Sequence, residues 1–192
     1  MLKERSNTIK EQQKRIEIGT VIRQDILENQ AKIVYLGIGS NLGDRKKNIE
    51  IAKFHLSEKK LDFLSISSFY ETPSWPDPKK PRFLNIVIKA KFYHDPESLL
   101  EICKKIEILL GREKGKKNDP RVCDIDIIDF NKKILKIKNK LTLPHKLMHK
   151  RNFVLIPFFE IQKKWHHPII KKDLKSLISS LSQEDIRSIK QI

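Results

Sequence analysis

The order of apolar runs and helical segments between residues 32 and 128 limits the folds open to this chain. Strand-like runs lie at residues 33–39, 63–70, 83–92 and 122–128, and helical spacing lies at residues 43–59 and 96–110. The order β-α-β-β-α-β is typical of a ferredoxin-like two-layer α+β sandwich, in which an antiparallel sheet carries both helices on one face and leaves the other free. A hairpin at 134–143 and a helix over 174–181 follow. We therefore expect a C-terminal hairpin and helix in the same domain.

The chain divides into two segments at about residue 31. Residues 1–31 are polar and show only a weak seven-residue repeat of apolar positions, which predicts an N-terminal extension, helical or flexible, ahead of one domain over 32–192. No apolar run approaches the roughly 20 residues that cross a bilayer. Residues 1–15 lack the apolar centre of a signal peptide. We therefore expect a cytoplasmic protein without a membrane partner.

The charge of the chain favours a polyanionic partner, because 40 basic and 24 acidic side chains give a net charge of +16. The basic residues are 31 lysines and 9 arginines, whereas base recognition relies on arginine. Residues 82–92 also lack the aromatic platform of RNA-binding ferredoxin-like modules. A basic nucleic-acid-binding module stays an alternative, but we expect no nucleic-acid partner.

Asp124 and Asp126 are the residues most indicative of chemistry. Residues two apart on a strand share a face, so the two carboxylates lie together while their apolar neighbours point to the other face. Such a pair suits Mg²⁺ bridging a phosphate chain, and a solvated strand end is the alternative. The preceding loop, residues 111–121, carries five basic and two acidic side chains. Phosphoryl transfer needs cationic side chains beside a metal site, and this loop could supply them. The alternative is that these residues form an ordinary charged loop.

Other familiar nucleotide and metal motifs do not occur. The glycines of residues 37–43 have the spacing G-x-G-x-x-x-G, which is not the dinucleotide fingerprint, and the chain has no P-loop sequence. His145 and His149 lack the glutamate of the H-E-x-x-H zinc motif. From the residues alone, the chain is predicted to perform Mg²⁺-dependent phosphoryl transfer or to bind a nucleotide.

Four blocks of the sequence resemble one enzyme family, the 6-hydroxymethyl-7,8-dihydropterin pyrophosphokinases. The blocks are LGIGSNLGDRKKNI (36–49), SSFYETPSWPDPKKPRFLN (67–85), IEILLGREKGKKNDPRVCDIDI (106–127) and LTLPHKLMHKRNFVLIPFFEI (141–161). The resemblance implies transfer of pyrophosphate from ATP to the hydroxymethyl group of the pterin, giving AMP, in folate biosynthesis. It also implies ATP as co-substrate, two Mg²⁺ ions, small-molecule partners only, and a monomer.

The resemblance also implies a role for each matching residue. The implied metal ligands are Asp124 and Asp126. The implied catalytic residues are these two aspartates together with Arg112 and Arg121. The pterin contacts are Thr72, Phe83, Asn85 and Phe153. The ATP contacts are Glu107, Arg112, Lys114, Lys117, Arg121, His145 and Arg151.

The chain departs from the family pattern in two loops, the first at residues 71–82 and the second at residues 111–121. The second loop usually reads G-R-x-R-x-x-R-W-G-P-R, but here it has Lys114, Lys117, Asn118 and Asp119 at the later positions. Lysine keeps the charge and loses the two-pronged contact of arginine with phosphate. In the first loop, Lys80 replaces the usual glutamine. We expect slower loop closure and turnover, and a homologue that binds pterin or ATP with little turnover is the alternative.

Overall fold

The structure is a computed structural model that describes residues 30–74, 77–112 and 119–192. The elements in chain order are β1 (Lys32–Ser40), α1 (Arg45–Glu58), β2 (Asp62–Ile66), β3 (Tyr70–Thr72), β4 (Phe83–Phe92), α2 (Pro96–Leu109), β5 (Asp124–Phe130), β6 (Leu135–Ile137), β7 (Leu141–Leu143), α3 (Asn152–Ile161), α4 (Leu174–Ser179), α5 (Gln183–Ser188) and β8 (Lys190–Gln191). The predicted N-terminal extension lies outside the described residues, except for residues 30 and 31.

One antiparallel sheet holds six of these strands, in the order β5-β1-β4-β3-β8, with β2 paired to the far end of β4. This arrangement confirms the predicted α+β, ferredoxin-like order. The single strand predicted over 63–70 is two strands, β2 and β3, separated by a bend. At the bend the hydroxyl of Ser67 accepts a hydrogen bond from the backbone N–H of Val87 at 2.9 Å, so a side chain replaces one ladder bond.

Helices α1 and α2 cover one face of the sheet, as predicted. Ile49 of α1 and Leu99 of α2 are fully buried in a core that includes Ile125 and Ile127 of β5. Helix α2 begins where the sequence predicted, because the Asp95 carboxylate accepts the backbone N–H groups of the first turn at 2.9 Å. It ends just before Gly111, whose φ of +89° suits glycine.

The second face of the sheet was predicted to be free, and this prediction is wrong. Helices α3 and α4 pack on it through a separate apolar cluster that includes Tyr35, Val87, Ile128, Phe158 and Trp165. The sheet and α4 together bury most sides of α3, so its apolar residues do not follow a one-sided helical period. For this reason the sequence pattern did not predict a helix at these residues.

The C-terminal part of the chain contains more structure than was predicted. The β6–β7 hairpin and α4 are confirmed. Helix α5 and strand β8 were not predicted, and β8 forms the edge of the sheet beside β3. Among the described residues, no helix is both long enough and apolar enough to span a membrane.

Candidate active site

A cavity opens at the end of the sheet where β1, β3, β4 and β5 meet the start of α3. It is lined by residues that the sequence predicted for different roles, and this set includes Thr72, Phe83, Asn85, Arg121, Asp124, Asp126, Arg151 and Phe153. The structure thus brings the predicted pterin, phosphate and metal residues to one place.

Asp124 and Asp126 project into this cavity from β5. Their neighbours Ile125 and Ile127 are buried in the core on the opposite face, as the alternation predicted. Asp124 Oδ1 lies 3.0 Å from Arg112 Nη1 and 2.6 Å from Arg121 Nη1. Asp124 therefore already pairs with two cations of the second loop.

Asp126 has a different set of partners. Its Oδ2 lies 3.2 Å from Arg151 Nη1 and 3.8 Å from His145 Nε2. The Nδ1 of His145 accepts the backbone N–H of Leu147 at 3.3 Å, so the neutral ring carries its proton on Nε2, toward Asp126. Burial lowers the pKa of His145, and the carboxylate of Asp126 opposes this effect. The neutral form is therefore the one present near pH 7.

Glu107 lies behind the two aspartates and is almost fully buried. One carboxylate oxygen accepts the backbone N–H of Ile125 at 2.7 Å and contacts Arg112. Burial raises the pKa of Glu107 to about 7, although the Ile125 N–H and the Arg112 charge act in the opposite direction. Glu107 thus fixes both Arg112 and the strand between the two aspartates.

The other end of the cavity is built around Asn85. This buried amide donates from Nδ2 to the hydroxyl of Thr72 at 3.0 Å. Phe83 lies two positions before it on β4, and Phe153 enters from α3 with the guanidinium of Arg151 5.4 Å from its ring centroid. An amide edge and two aromatic rings in one cavity can bind a flat heterocycle that has both donors and acceptors.

A family model described as "7,8-dihydro-6-hydroxymethylpterin-pyrophosphokinase (HPPK)" matches residues 35–163. This match covers more than half of the chain and all of the described cavity residues. The chain belongs to this family.

Two similar proteins show the same likeness. A 2-amino-4-hydroxy-6-hydroxymethyldihydropteridine pyrophosphokinase of Aquifex aeolicus is 39% identical over 142 residues, which are 74% of this chain and 88% of the relative. The Folic acid synthesis protein FOL1 of Dictyostelium discoideum is 40% identical over 138 residues, which are 72% of this chain. This chain spans only 21% of that longer protein.

A solved structure with a similar fold is the wild-type Plasmodium falciparum HPPK-DHPS. Its TM-score is 0.66 at 19% identity, and the match covers 86% of this chain and 45% of the Plasmodium chain. The family places this chain among the enzymes that transfer pyrophosphate from ATP to 6-hydroxymethyl-7,8-dihydropterin in folate biosynthesis.

Several residues in or beside this pyrophosphokinase site carried no predicted role, and two of them are Gly39 and Asn41. Gly39 was interpreted as part of a turn, but it lies within β1 opposite Asn85. A Cβ atom at Gly39 would lie 2.9 Å from Asn85 Oδ1 and 3.3 Å from a ring carbon of Phe83. Only glycine leaves room here for both side chains. Both glycines of β1 lie in the first of the four blocks that resemble the family, residues 36–49. That resemblance was the feature of the sequence that could have marked Gly39 as a site residue.

The second missed residue is Asn41, which is buried just after β1. Its Oδ1 accepts the backbone N–H of Arg121 at 2.6 Å, and its Nδ2 donates to the carbonyl of Pro81 at 3.1 Å. Asn41 therefore joins the ends of the two loops that border the cavity.

The two loops also contact each other through residues that depart from the family pattern. Lys80 Nζ of the first loop lies 3.5 Å from Asp119 Oδ1 of the second loop. The two departures from the family pattern therefore carry opposite charges and form an ion pair. Lys114, Lys117 and Asn118 lie outside the described residues.

Proposed function

We propose that this chain performs its pyrophosphoryl transfer with two Mg²⁺ ions held by Asp124 and Asp126. The observation that carries the proposal is the projection of both carboxylates, from alternate positions of one strand, into a cavity whose far end is formed by Asn85 and Phe83. Asp124 and Asp126 would hold the ions beside the ATP phosphates, and the bound metal would supply positive charge that offsets the negative charge developing during transfer.

The residues present fit this metal. Within residues 30–74, 77–112 and 119–192, no group of three or more His, Cys, Asp or Glu side chains is arranged to hold an ion. Mg²⁺ needs no such cage, because it retains waters and is held by one or two carboxylates together with substrate phosphates. Two adjacent carboxylates open to a cavity are the donor set that such a site requires.

The arginines would exchange partners when ATP binds. Arg112, Arg121 and Arg151 now pair with the two aspartates. Phosphate oxygens offer the guanidinium groups the same two-pronged contact that a carboxylate offers. Bound ATP would therefore draw these arginines onto its phosphates and free the aspartates for cations. Neutral His145 would donate a hydrogen bond from its Nε2–H to an acceptor atom of ATP.

The pterin would lie between Phe83 and Phe153 with its amide edge on Asn85. The hydroxyl of Thr72 holds the Asn85 amide in one orientation, so the side chain presents its oxygen to a substrate donor. This arrangement would direct the hydroxymethyl group toward the phosphate end of the cavity. Catalysis would then rest on positioning and charge neutralisation.

We also propose that the enzyme acts as a cytoplasmic monomer without a nucleic-acid partner. The nucleic-acid alternative rested on the net charge of +16 and on a free sheet face, and α3 and α4 pack on that face.

The test is AMP formation from ATP and Mg²⁺ with and without 6-hydroxymethyl-7,8-dihydropterin. We expect Asp124→Asn and Asp126→Asn each to lower the pterin-dependent rate by at least about 100-fold and to raise the Mg²⁺ concentration needed for half-maximal rate. Asp62→Asn, the same change at an exposed carboxylate of β2, is the matched control. Pterin binding by the intact chain without AMP formation would favour the low-turnover alternative, and unchanged rates in both aspartate variants would contradict the metal site.

A further inference from the structure

The last eleven residues of the chain contact both walls of the cavity where the pterin is proposed to bind. We call residues 182–192 the C-terminal segment; it comprises α5, β8 and their flanking residues. One wall is β3, which ends at Thr72, and the other is the first turn of α3, which carries Phe153. The segment lies outside residues 35–163, the part of the chain that the family model matches.

The segment holds β3 by backbone pairing. Strand β8 pairs antiparallel with β3, so Gln191 lies opposite Tyr70. The backbone N–H of Ile192 donates to the carbonyl of Phe69 at 3.0 Å, and the side-chain amide of Gln191 donates to the hydroxyl of Ser68 at 2.9 Å. Without β8, strand β3 would be a three-residue edge strand with one neighbour, and such an edge is poorly fixed.

The segment holds α3 through one buried side chain. Asn152, the first residue of α3, is 8% exposed. Its Nδ2 donates to the carbonyl of Asp185 at 2.6 Å and to the hydroxyl of Ser188 at 3.0 Å. Its Oδ1 accepts the backbone N–H of Phe153 at 2.7 Å. The amide therefore connects the backbone of a pterin-wall residue directly to α5.

The far end of α3 completes a closed ring of contacts. The carboxylate of Glu160 accepts the hydroxyls of Ser68 at 2.8 Å and of Tyr70 at 3.0 Å. The C-terminal end of α3 is thus hydrogen-bonded directly to β3, through Glu160 and Tyr70. Its N-terminal end is connected to β3 indirectly, through Asn152 and the C-terminal segment. The position of Phe153 relative to Thr72 depends on both connections.

We propose that the C-terminal segment sets the width of the pterin pocket, and that Asn152 is the positioning residue through which it acts. This inference rests on the proposed pterin-binding site. The phosphate end depends on Asp124, Asp126 and the second loop. Within the described residues, the hydrogen bonds given above for the two aspartates and for Arg112 and Arg121 involve no residue of the segment. Loss of the connection should therefore weaken pterin binding more than ATP binding.

The test compares Asn152→Asp with Asn139→Asp. The first variant keeps the shape of the side chain and removes its N–H donors, and the second makes the same change of charge in the exposed β6–β7 turn. We expect Asn152→Asp to raise the KM and the equilibrium Kd for the pterin roughly 5- to 10-fold, with kcat and the KM for ATP within about twofold. Ser188→Ala, which removes one acceptor without changing charge, should raise them about 2- to 3-fold. Asn139→Asp should leave them unchanged.

An equal rise of both KM values, or an unchanged pterin Kd with a lower urea midpoint, would overturn the inference by showing that the contact serves stability alone. The Kd is measured without turnover. An intact chain that binds pterin but forms no AMP would contradict the proposed transfer and leave this test in force, whereas an intact chain that binds no pterin would overturn both.

Discussion

The substitution Gly39→Ala tests the pterin end of the cavity with a single methyl group. The added Cβ would lie 2.9 Å from Asn85 Oδ1 and 3.3 Å from a Phe83 ring carbon. Ordinary van der Waals separation requires these neighbours to move away by about 0.5 Å. Both are pterin contacts in our account, and Asn85 is also tied to Thr72 by its amide. The methyl group therefore displaces the amide edge and one aromatic wall together.

Overpacking of this kind costs about 1–3 kcal/mol. If this free-energy cost weakens pterin binding, the KM for the pterin rises about 5- to 150-fold, since each 1.4 kcal/mol of binding free energy is a factor of ten. The assay is AMP formation at saturating ATP over a range of pterin concentrations. The KM for ATP should change by less than about threefold, because the atoms nearest to the added methyl group belong to Asn85 and Phe83 and not to Asp124 or Asp126.

The matched control is Gly37→Ala, the same change two residues earlier on the same face of β1. Its nearest neighbour would be the end of the Ile128 side chain at 3.4 Å, an ordinary contact. We expect Gly37→Ala to alter the pterin KM by less than about threefold. A normal pterin KM in Gly39→Ala, or an equal rise in both variants, would refute the steric argument.

Three further results are expected. Burial raises the pKa of Glu107 from 4.5 to about 7, so the folded chain binds this proton more tightly than the unfolded chain. The free energy of unfolding without ligands should therefore fall by about 3 kcal/mol as the pH rises from 4.5 to 7; urea unfolding should show this fall reduced in Glu107→Gln, and an identical pH profile would argue against it. Asp119→Ala should change turnover by less than about fivefold, because the ion pair with Lys80 is partly open to solvent and pairs that water reaches contribute about 0–1 kcal/mol; a larger loss in steady-state rate would assign the pair a greater role. Asn118→Trp should raise kcat by restoring the aromatic residue usual in the family, and an unchanged kcat would show that this departure does not slow the enzyme.

The parts of the site that could be predicted depend on local periodicity. Asp124 and Asp126 were predicted to share a face because side chains alternate along any strand, and the neighbouring isoleucines are buried as that rule requires. Helix α2 was placed by the proline and glycine at its ends, which act through their own backbone geometry. The role of Asn85 came from the resemblance to the family.

The parts that could not be predicted depend on contacts between distant segments. Helix α3 is buried against the sheet and the C-terminal helices, so its apolar run lost the one-sided pattern that marks a helix. Strand β8 is two residues long and forms only because β3 offers an unpaired edge. Asn152 and Ser188 are 36 positions apart, and no local pattern in the sequence links them.

The most direct test of the central claim is the identity of the products formed from ATP and 6-hydroxymethyl-7,8-dihydropterin. Phosphorus NMR of the reaction mixture distinguishes pyrophosphoryl transfer from phosphoryl transfer, because the first leaves AMP and a pterin with two linked phosphorus atoms. We predict these two products in equal amounts, and their formation by Asp124→Asn at a rate at least about 100-fold lower. ADP together with a pterin monophosphate, or equal product formation by Asp124→Asn, would contradict our account.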